Sequence, residues 1–252
     1  MIISANKHYK FNKAILIAAI SIIAAITSVS CSSQTKNTIG TPAPTGAGTA
    51  STIAASTIAA AANDAYNDIV IQSPMTISNS ECAFKGETVY LRLKMMKGRY
   101  YEDWNPGAIM GSIREGQFSA ELADETDKTI AITDISSMYD EPLVFNSTFG
   151  LEFDDYNNDG DPDFTIGQYG SSNGNLYRIF TLRKNGKIEP LPVKDHTDLF
   201  ISSTTGYYST QLNKIDATSF EVEYYDNTKG TFDDTYKWDG KQFVRTGSVK
   251  AN

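Results

Sequence analysis

From residue 63 onward the chain alternates between apolar and polar side chains. Val89, Leu91, Leu93 and Met95 are separated by Tyr90, Arg92 and Lys94. A period of two turns one set of side chains to a buried face and the other to solvent, the signature of a strand. Phe118, Ala120 and Leu122 repeat it, and Asp124-Glu125-Thr126-Asp127-Lys128 turns the chain into Thr129–Thr133. Leu176, Arg178, Phe180 and Leu182 alternate with Tyr177, Ile179 and Thr181, and Phe220, Val222 and Tyr224 alternate with Glu221, Glu223 and Tyr225. Asn185-Gly186 and Asp239-Gly240 sit between such runs, and these dipeptides favour the type I′ hairpin turn. No stretch after Asn63 keeps a helical period for three turns. The pattern predicts a mainly β domain over 63–252, an antiparallel sandwich or meander.

The N-terminal quarter reads differently. Lys7, Lys10 and Lys13 precede an apolar run from Ala14 to Ile26, then the small residues Thr27-Ser28-Val29-Ser30 and Cys31. A basic, an apolar and a small-residue region in that order describe a secretory signal peptide over 1–30. The run is shorter than the ~20 residues of a membrane-spanning helix. Residues 31–62 are rich in Ala, Ser, Thr, Gly and Pro, with no aromatic residue and almost no charge. Such a segment buries too little surface to offset its ordering entropy, which predicts a flexible, disordered tether.

Ser28-Val29-Ser30-Cys31 resembles the lipobox of bacterial lipoproteins, although Ser28 stands where that family prefers an aliphatic residue. The resemblance implies lipidation of Cys31 and a membrane anchor facing the exterior; cleavage by an ordinary signal peptidase, giving a secreted protein, is the competing reading. With only two cysteines in the chain, a lipidated Cys31 leaves Cys82 as a small buried hydrophobe. Removing three signal lysines from 22 basic residues leaves 19 against 30 acids, a net charge of −11. That sign argues against nucleic acid as a partner.

One stretch stands out inside the β pattern. Oxygen-bearing side chains fall at every second position of Asp155-Tyr156-Asn157-Asn158-Asp159-Gly160-Asp161-Pro162-Asp163. Ca²⁺ takes six to eight hard oxygen ligands, and Gly160 permits the tight turn that wrapping an ion requires. Asp155, Asn157, Asp159, Asp161 and Asp163 are therefore candidate metal ligands. An EF-hand would carry a bidentate Glu at its twelfth position; that position is Ile166, and the flanking residues read as strands. The loop resembles the calcium hairpins of FG-GAP and VCBS repeats, with pattern Asp-x-Asp/Asn-x-Asp-Gly-x-x-Asp and a hydrophobic residue next. The resemblance implies coordination through Asp155, Asn157, Asp159 and Asp163, with position 161 giving its backbone carbonyl. It covers about 25 residues, and a propeller needs several blades, so it carries the loop and not the fold. An acidic turn held by its own Asx hydrogen bonds, without metal, is the alternative.

Tyr100, Tyr101 and Trp104, beside Glu102 and Asp103, are candidates for stacking on a sugar or for covering the edge of the core. Tyr207-Tyr208 and Tyr224-Tyr225 carry the same ambiguity. The Gly/Ser/Asn-rich 170–175 segment reads as a long turn. His196 reads as a solvated loop residue. Asp140 with Glu141, and Asp233 with Asp234, are the neighbouring carboxylates a glycosidase-like hydrolase would use; no catalytic residue is assigned. With the closing Tyr236-Lys237-Trp238-Asp239-Gly240 segment, the whole resembles secreted lipoproteins of low-GC Gram-positive bacteria. The sequence thus predicts a calcium-stabilised, lipid-anchored β module that binds a cell-wall glycan or protein or serves as an accessory envelope protein, with a carboxylate-dependent hydrolase as the alternative. Growing cells on a fatty-acid probe is expected to label the wild-type protein and not Cys31→Ser; equal labelling of both would remove Cys31 as the lipid site.

Overall fold

The computed structural model describes residues Asp68–Ala251, whose regular elements are all strands apart from one 3-10 turn, Ser136–Met138. The expected signal segment 1–30 and the expected tether 31–62, with Cys31, lie outside the described residues. The strands make three antiparallel sheets, each running largely between sequence neighbours. The meander and the sandwich are therefore both present.

The first sheet is built on two long strands, β3 (Glu87–Asp103) and β4 (Gly111–Asp124). β1 (Asp68–Ile71) and β2 (Met75–Phe84) share the outer edge of β3. β5 (Thr129–Asp134) and β6 (Leu143–Phe145) share that of β4. Val89, Leu91, Leu93 and Met95 lie on one face and are at most 1% exposed. Cys82, a free thiol, is buried beside them, and burial pushes its pKa up to about 11.

The second sheet contains β7 (Phe153–Asp154), β8 (Asp163–Ser171), β9 (Gly174–Leu182), β10 (Ile188–Pro190) and β11 (Leu199–Ile201). The third is a plain meander of β12 (Asn213–Asp216), β13 (Ser219–Asp226), β14 (Gly230–Trp238) and β15 (Phe243–Lys250). Parity along β8 and β9 fixes the layering. Phe164, Ile166, Phe180 and Leu182 pack in one core with Leu91, Phe118 and Phe145 of the first sheet. Tyr177 and Ile179 point the other way and pack in a second core with Phe220, Val222, Tyr236 and Phe243 of the third. The second sheet is thus the middle layer, covered on both faces, and β9 is buried almost without interruption. Strands covered on both sides read as continuous apolar runs rather than clean alternations.

Turn chemistry departs from the expected pattern. A type I′ turn needs positive φ at both central residues. At Asn185-Gly186 and Asp239-Gly240 only the glycines have it, 84° and 99°. Around Gly186 the loop is wider: Gly186 N–H bonds the Arg183 carbonyl, and Arg183 N–H bonds that of Lys187. The double positive φ falls instead at Lys85-Gly86, 54° and 81°, between the paired residues Phe84 and Glu87. The 170–175 segment is a tight turn rather than a long one, because Ser171 already pairs with Gly174. Asp124, Asp216, Asp226 and Asp239 each accept the backbone N–H two residues on, at 2.8–2.9 Å. Thr126 and Thr228 hydroxyls and the turn amides hold these carboxyls below their ordinary values.

The partner change along β3 occurs at one point. A register shift lies between Met95 and Lys97, and Gly98 then faces Gly116. A Cβ on Gly116 would stand 2.3 Å from the Lys97 carbonyl oxygen, and one on Gly98 2.2 Å from that of Glu115. Two backbones therefore meet where no side chain fits, which lets the sheet bend. Gly116→Ala is expected to destabilise by about 3 kcal/mol. Gly150→Ala, whose Cβ meets nothing closer than Ser80 Oγ at 4.0 Å, is expected to stay within about 0.5 kcal/mol; equal denaturation midpoints for the two variants would refute the close approach.

Candidate metal centre

The 155–163 loop joins β7 to β8 as a hairpin, with Phe153 opposite Phe164 and Asp154 opposite Asp163. Asn158 and Gly160 take positive φ, 60° and 80°, and the chain between the strands coils back on itself. Its side chains meet its own amides. Asp155 accepts the N–H groups of Asp159 (3.2 Å) and Gly160 (3.0 Å). Asn157 Oδ1 accepts the Asp159 N–H at 3.1 Å, and Asp159 Oδ1 that of Asp161 at 2.9 Å. Asn157 Nδ2 donates to Asp159 Oδ2 at 2.9 Å.

Asp163 lies beneath, at the first position of β8 and fully buried. Its Oδ2 accepts the Tyr156 N–H at 2.8 Å, while its Oδ1 has no hydrogen-bond partner. Thr181, its cross-strand neighbour on β9, likewise has an unpartnered buried hydroxyl. Burial pushes the Asp163 carboxyl up to about 7; the nearby Thr181 hydroxyl and the Tyr156 N–H act to lower it, and the charges of Asp159 and Asp155 add to the rise. Asp159 moves the other way: although burial acts to raise it, hydrogen bonds from the Asp161 N–H, Asn157 and Arg183 hold it below its usual value.

Cations answer the loop's charge. Arg183 Nη1 stands 2.7 Å from Asp159 Oδ2 and 3.5 Å from Asp161 Oδ2, while its Nε reaches Glu189 at 3.2 Å. Lys214 Nζ donates to Asp154 Oδ1 (2.9 Å) and to the Asp155 carbonyl (2.6 Å). Among the described residues no three of His, Cys, Asp and Glu converge as a ready metal cage. The reason is visible in the loop, where amides and Arg183 occupy the carboxylates. The donor set nevertheless fits a hard cation. Every side chain concerned offers oxygen, and the buried Asp163 Oδ1 lacks the partner that a carboxylate oxygen in such a place requires. The Asp161 carboxylate faces Arg183 instead, which favours its carbonyl over its side chain as the oxygen of that position. Arg183 and Lys214 are not marked by the loop's own pattern. Only the β8–β9 register, which sets Thr181 opposite Asp163, places Arg183 two residues further beside the loop.

The other candidates separate. Tyr100 on β3 and Trp104 just past its end both donate to Glu102, at 3.1 and 3.2 Å. Tyr101 points the opposite way, to Glu115 and under Arg99. The three rings do not form one platform, because successive residues of a strand face opposite sides. Tyr208 is a core residue whose hydroxyl donates to Asn146 at 2.7 Å, while Tyr207 is exposed. Asp140 and Glu141 are exposed, and Asp233 and Asp234 point to opposite faces of β14. His196 is exposed.

A carboxyl whose pKa is higher folded than unfolded stabilises the fold in its protonated form. That contribution is full below the unfolded value near 4 and is lost as pH rises through the folded value. In metal-free buffer the wild-type melting temperature is therefore expected to fall between pH 4 and pH 8, by the equivalent of at most about 4 kcal/mol. Asp163→Asn, which keeps the shape and can offer Thr181 a donor, is expected to flatten this dependence; an unchanged slope would show that Asp163 does not titrate in this range. Comparison of the chain with protein-family models, with curated proteins and with solved structures finds no match.

Proposed function

We propose that this protein is a binding or accessory module of the cell envelope, exported by its N-terminal signal, anchored by lipid on Cys31 and stabilised by one structural Ca²⁺. The observation that carries the metal reading is the buried, unpartnered Oδ1 of Asp163 beneath a coil of inward-folded oxygen side chains. Asp155, Asn157, Asp159 and Asp163 would hold the ion with the carbonyl of residue 161. A divalent cation there supplies positive charge to carboxylates that otherwise repel one another and ties β7 to β8. A role in stability suits the site, since the loop closes a hairpin of the middle sheet, on which both cores rest. The acidic balance and the export signal favour an extracellular setting, where Ca²⁺ sites of 0.1–1 mM affinity are useful.

At a few millimolar Ca²⁺ such a site stabilises by about 1–2 kcal/mol, a rise of about 2–8 °C in melting temperature for a domain of this size. Asp155→Ala with Asp159→Ala is expected to abolish the rise. Arg183→Gln removes the cation that occupies Asp159, so it should lower the melting temperature without Ca²⁺ and enlarge the Ca²⁺-dependent rise. A wild-type protein that gains nothing from millimolar Ca²⁺ would refute the metal reading. Retention on purified cell-wall material, measured by pull-down, tests the binding role separately.

A further inference from the structure

The inner face of the third sheet runs on past the part that the second sheet covers. Phe232, Asp234 and Tyr236 share this face of β14, and Val222 and Tyr224 stand opposite them on β13. Val222 and Tyr236 belong to the core. Tyr224 and Phe232, by contrast, line an open cleft of about 530 Å³ together with Leu176, His196 and Phe200, whose ring meets that of Tyr224 edge-on at 5.8 Å. The volume lies in the range of small-molecule sites. The sequence picks out Tyr224, Asp234 and His196 one by one, and only the fold brings them together, because the lining comes from β9, the 193–201 segment and the third sheet.

Asp234 forms part of the cleft wall and is 4% exposed. Its Oδ2 takes one N–H of Arg245 at 3.0 Å, and its Oδ1, covered from solvent while Arg245 holds this position, has no hydrogen-bond partner. A buried carboxylate oxygen without a donor is unfavourable and is usually satisfied by water or by a bound group. The Arg245 side chain is 55% exposed; held by one bond, it can move aside and has further N–H groups to offer. Around the cleft, charges cancel in pairs. Asp234 is matched by Arg245, Asp198 by Arg178 at 2.8 Å, and Asp226 by Lys229 at 3.7 Å. No surplus charge remains to select an ion. What remains is aromatic surface from Phe200, Tyr224 and Phe232 beside a carboxylate that needs a donor.

We propose that this cleft is a carbohydrate-binding site, taking a neutral sugar ring whose C–H face lies on the aromatic side chains and whose hydroxyl donates to Asp234. Apolar ring faces and hydroxyl donors on one neutral ligand match the two properties of the wall. The assignment rests on the binding-module reading above and gives that reading a place and a ligand class; it does not depend on the calcium loop.

The purified Cys31→Ser protein is titrated by calorimetry with soluble tetrasaccharides of glucose, N-acetylglucosamine, mannose and xylose, and its retention on cell-wall material is measured in parallel. Saturable binding of at least one sugar is expected, weakened about tenfold or more by Asp234→Asn and by Phe232→Leu, each checked for an unchanged fold by its melting curve. Trp104→Ala, on the first sheet, should leave the affinity within about twofold. Binding that survives both cleft variants, or is lost in Trp104→Ala instead, would overturn the assignment, as would a panel without binding. No sugar binding, together with wall retention unaffected by the cleft variants, would overturn the cleft while leaving the binding module standing. Sugar binding without wall retention would support the cleft and remove the wall as the partner.

Discussion

A sheet covered on both faces leaves its polar groups no recourse to water, and the middle sheet of this protein obeys that constraint almost everywhere. Thr165 exchanges hydrogen bonds with the backbone of Thr210 at 2.7 and 2.9 Å. Arg178, only 6% exposed, is spent on Asp198, on the Met138 carbonyl and on the face of Tyr139. The hydroxyls of Tyr156, Tyr177 and Tyr208 bond the 206–212 segment or Asn146 and so fasten the chain over the sheet. Unpaired polar groups in such a place are disfavoured strongly enough that those remaining call for an explanation. Asp163 and Thr181, paired across β8 and β9, are the two that this sheet leaves open.

Their position links stability to the loop. Asp163 is the residue at which the acidic hairpin enters the middle layer, and one of its oxygens has no hydrogen-bond partner there. The fold without metal favours the proton, because burial and two neighbouring carboxylates both act against a negative charge. Arg183 relieves part of the same charge from the outer side of the loop, at Asp159 and Asp161. The loop is therefore a balance between protons and a guanidinium, and the proposed divalent cation would compete for the same oxygens.

The carboxylate of Asp234 stands in a comparable situation on the third sheet, with one oxygen held by Arg245 and the other unpaired. The two sites differ in their surroundings. Asp163 is ringed by other oxygens, which suits a hard cation, whereas Asp234 has aromatic neighbours and a charge already matched, which suits a neutral hydrogen-bond donor. One chemical deficiency thus points to two kinds of ligand, according to the company the carboxylate keeps.

Local periodicity was enough to establish the strands. A two-residue alternation from Val89 to Met95, or from Phe118 to Leu122, is set by the pleat itself and needs no partner to be read. The spacing of oxygens from Asp155 to Asp163, and the strands on either side of them, were legible for the same reason: the loop's geometry is contained in consecutive residues. What lay beyond the sequence were relations across strands. Only the register sets Thr181 against Asp163 and brings Arg183 to the loop. Alternation separates Tyr101 from Tyr100 and Trp104, although the three are close in sequence. The cleft beside Asp234 exists because the third sheet extends past the second, and that offset depends on how two layers stack, which no single stretch of the chain encodes.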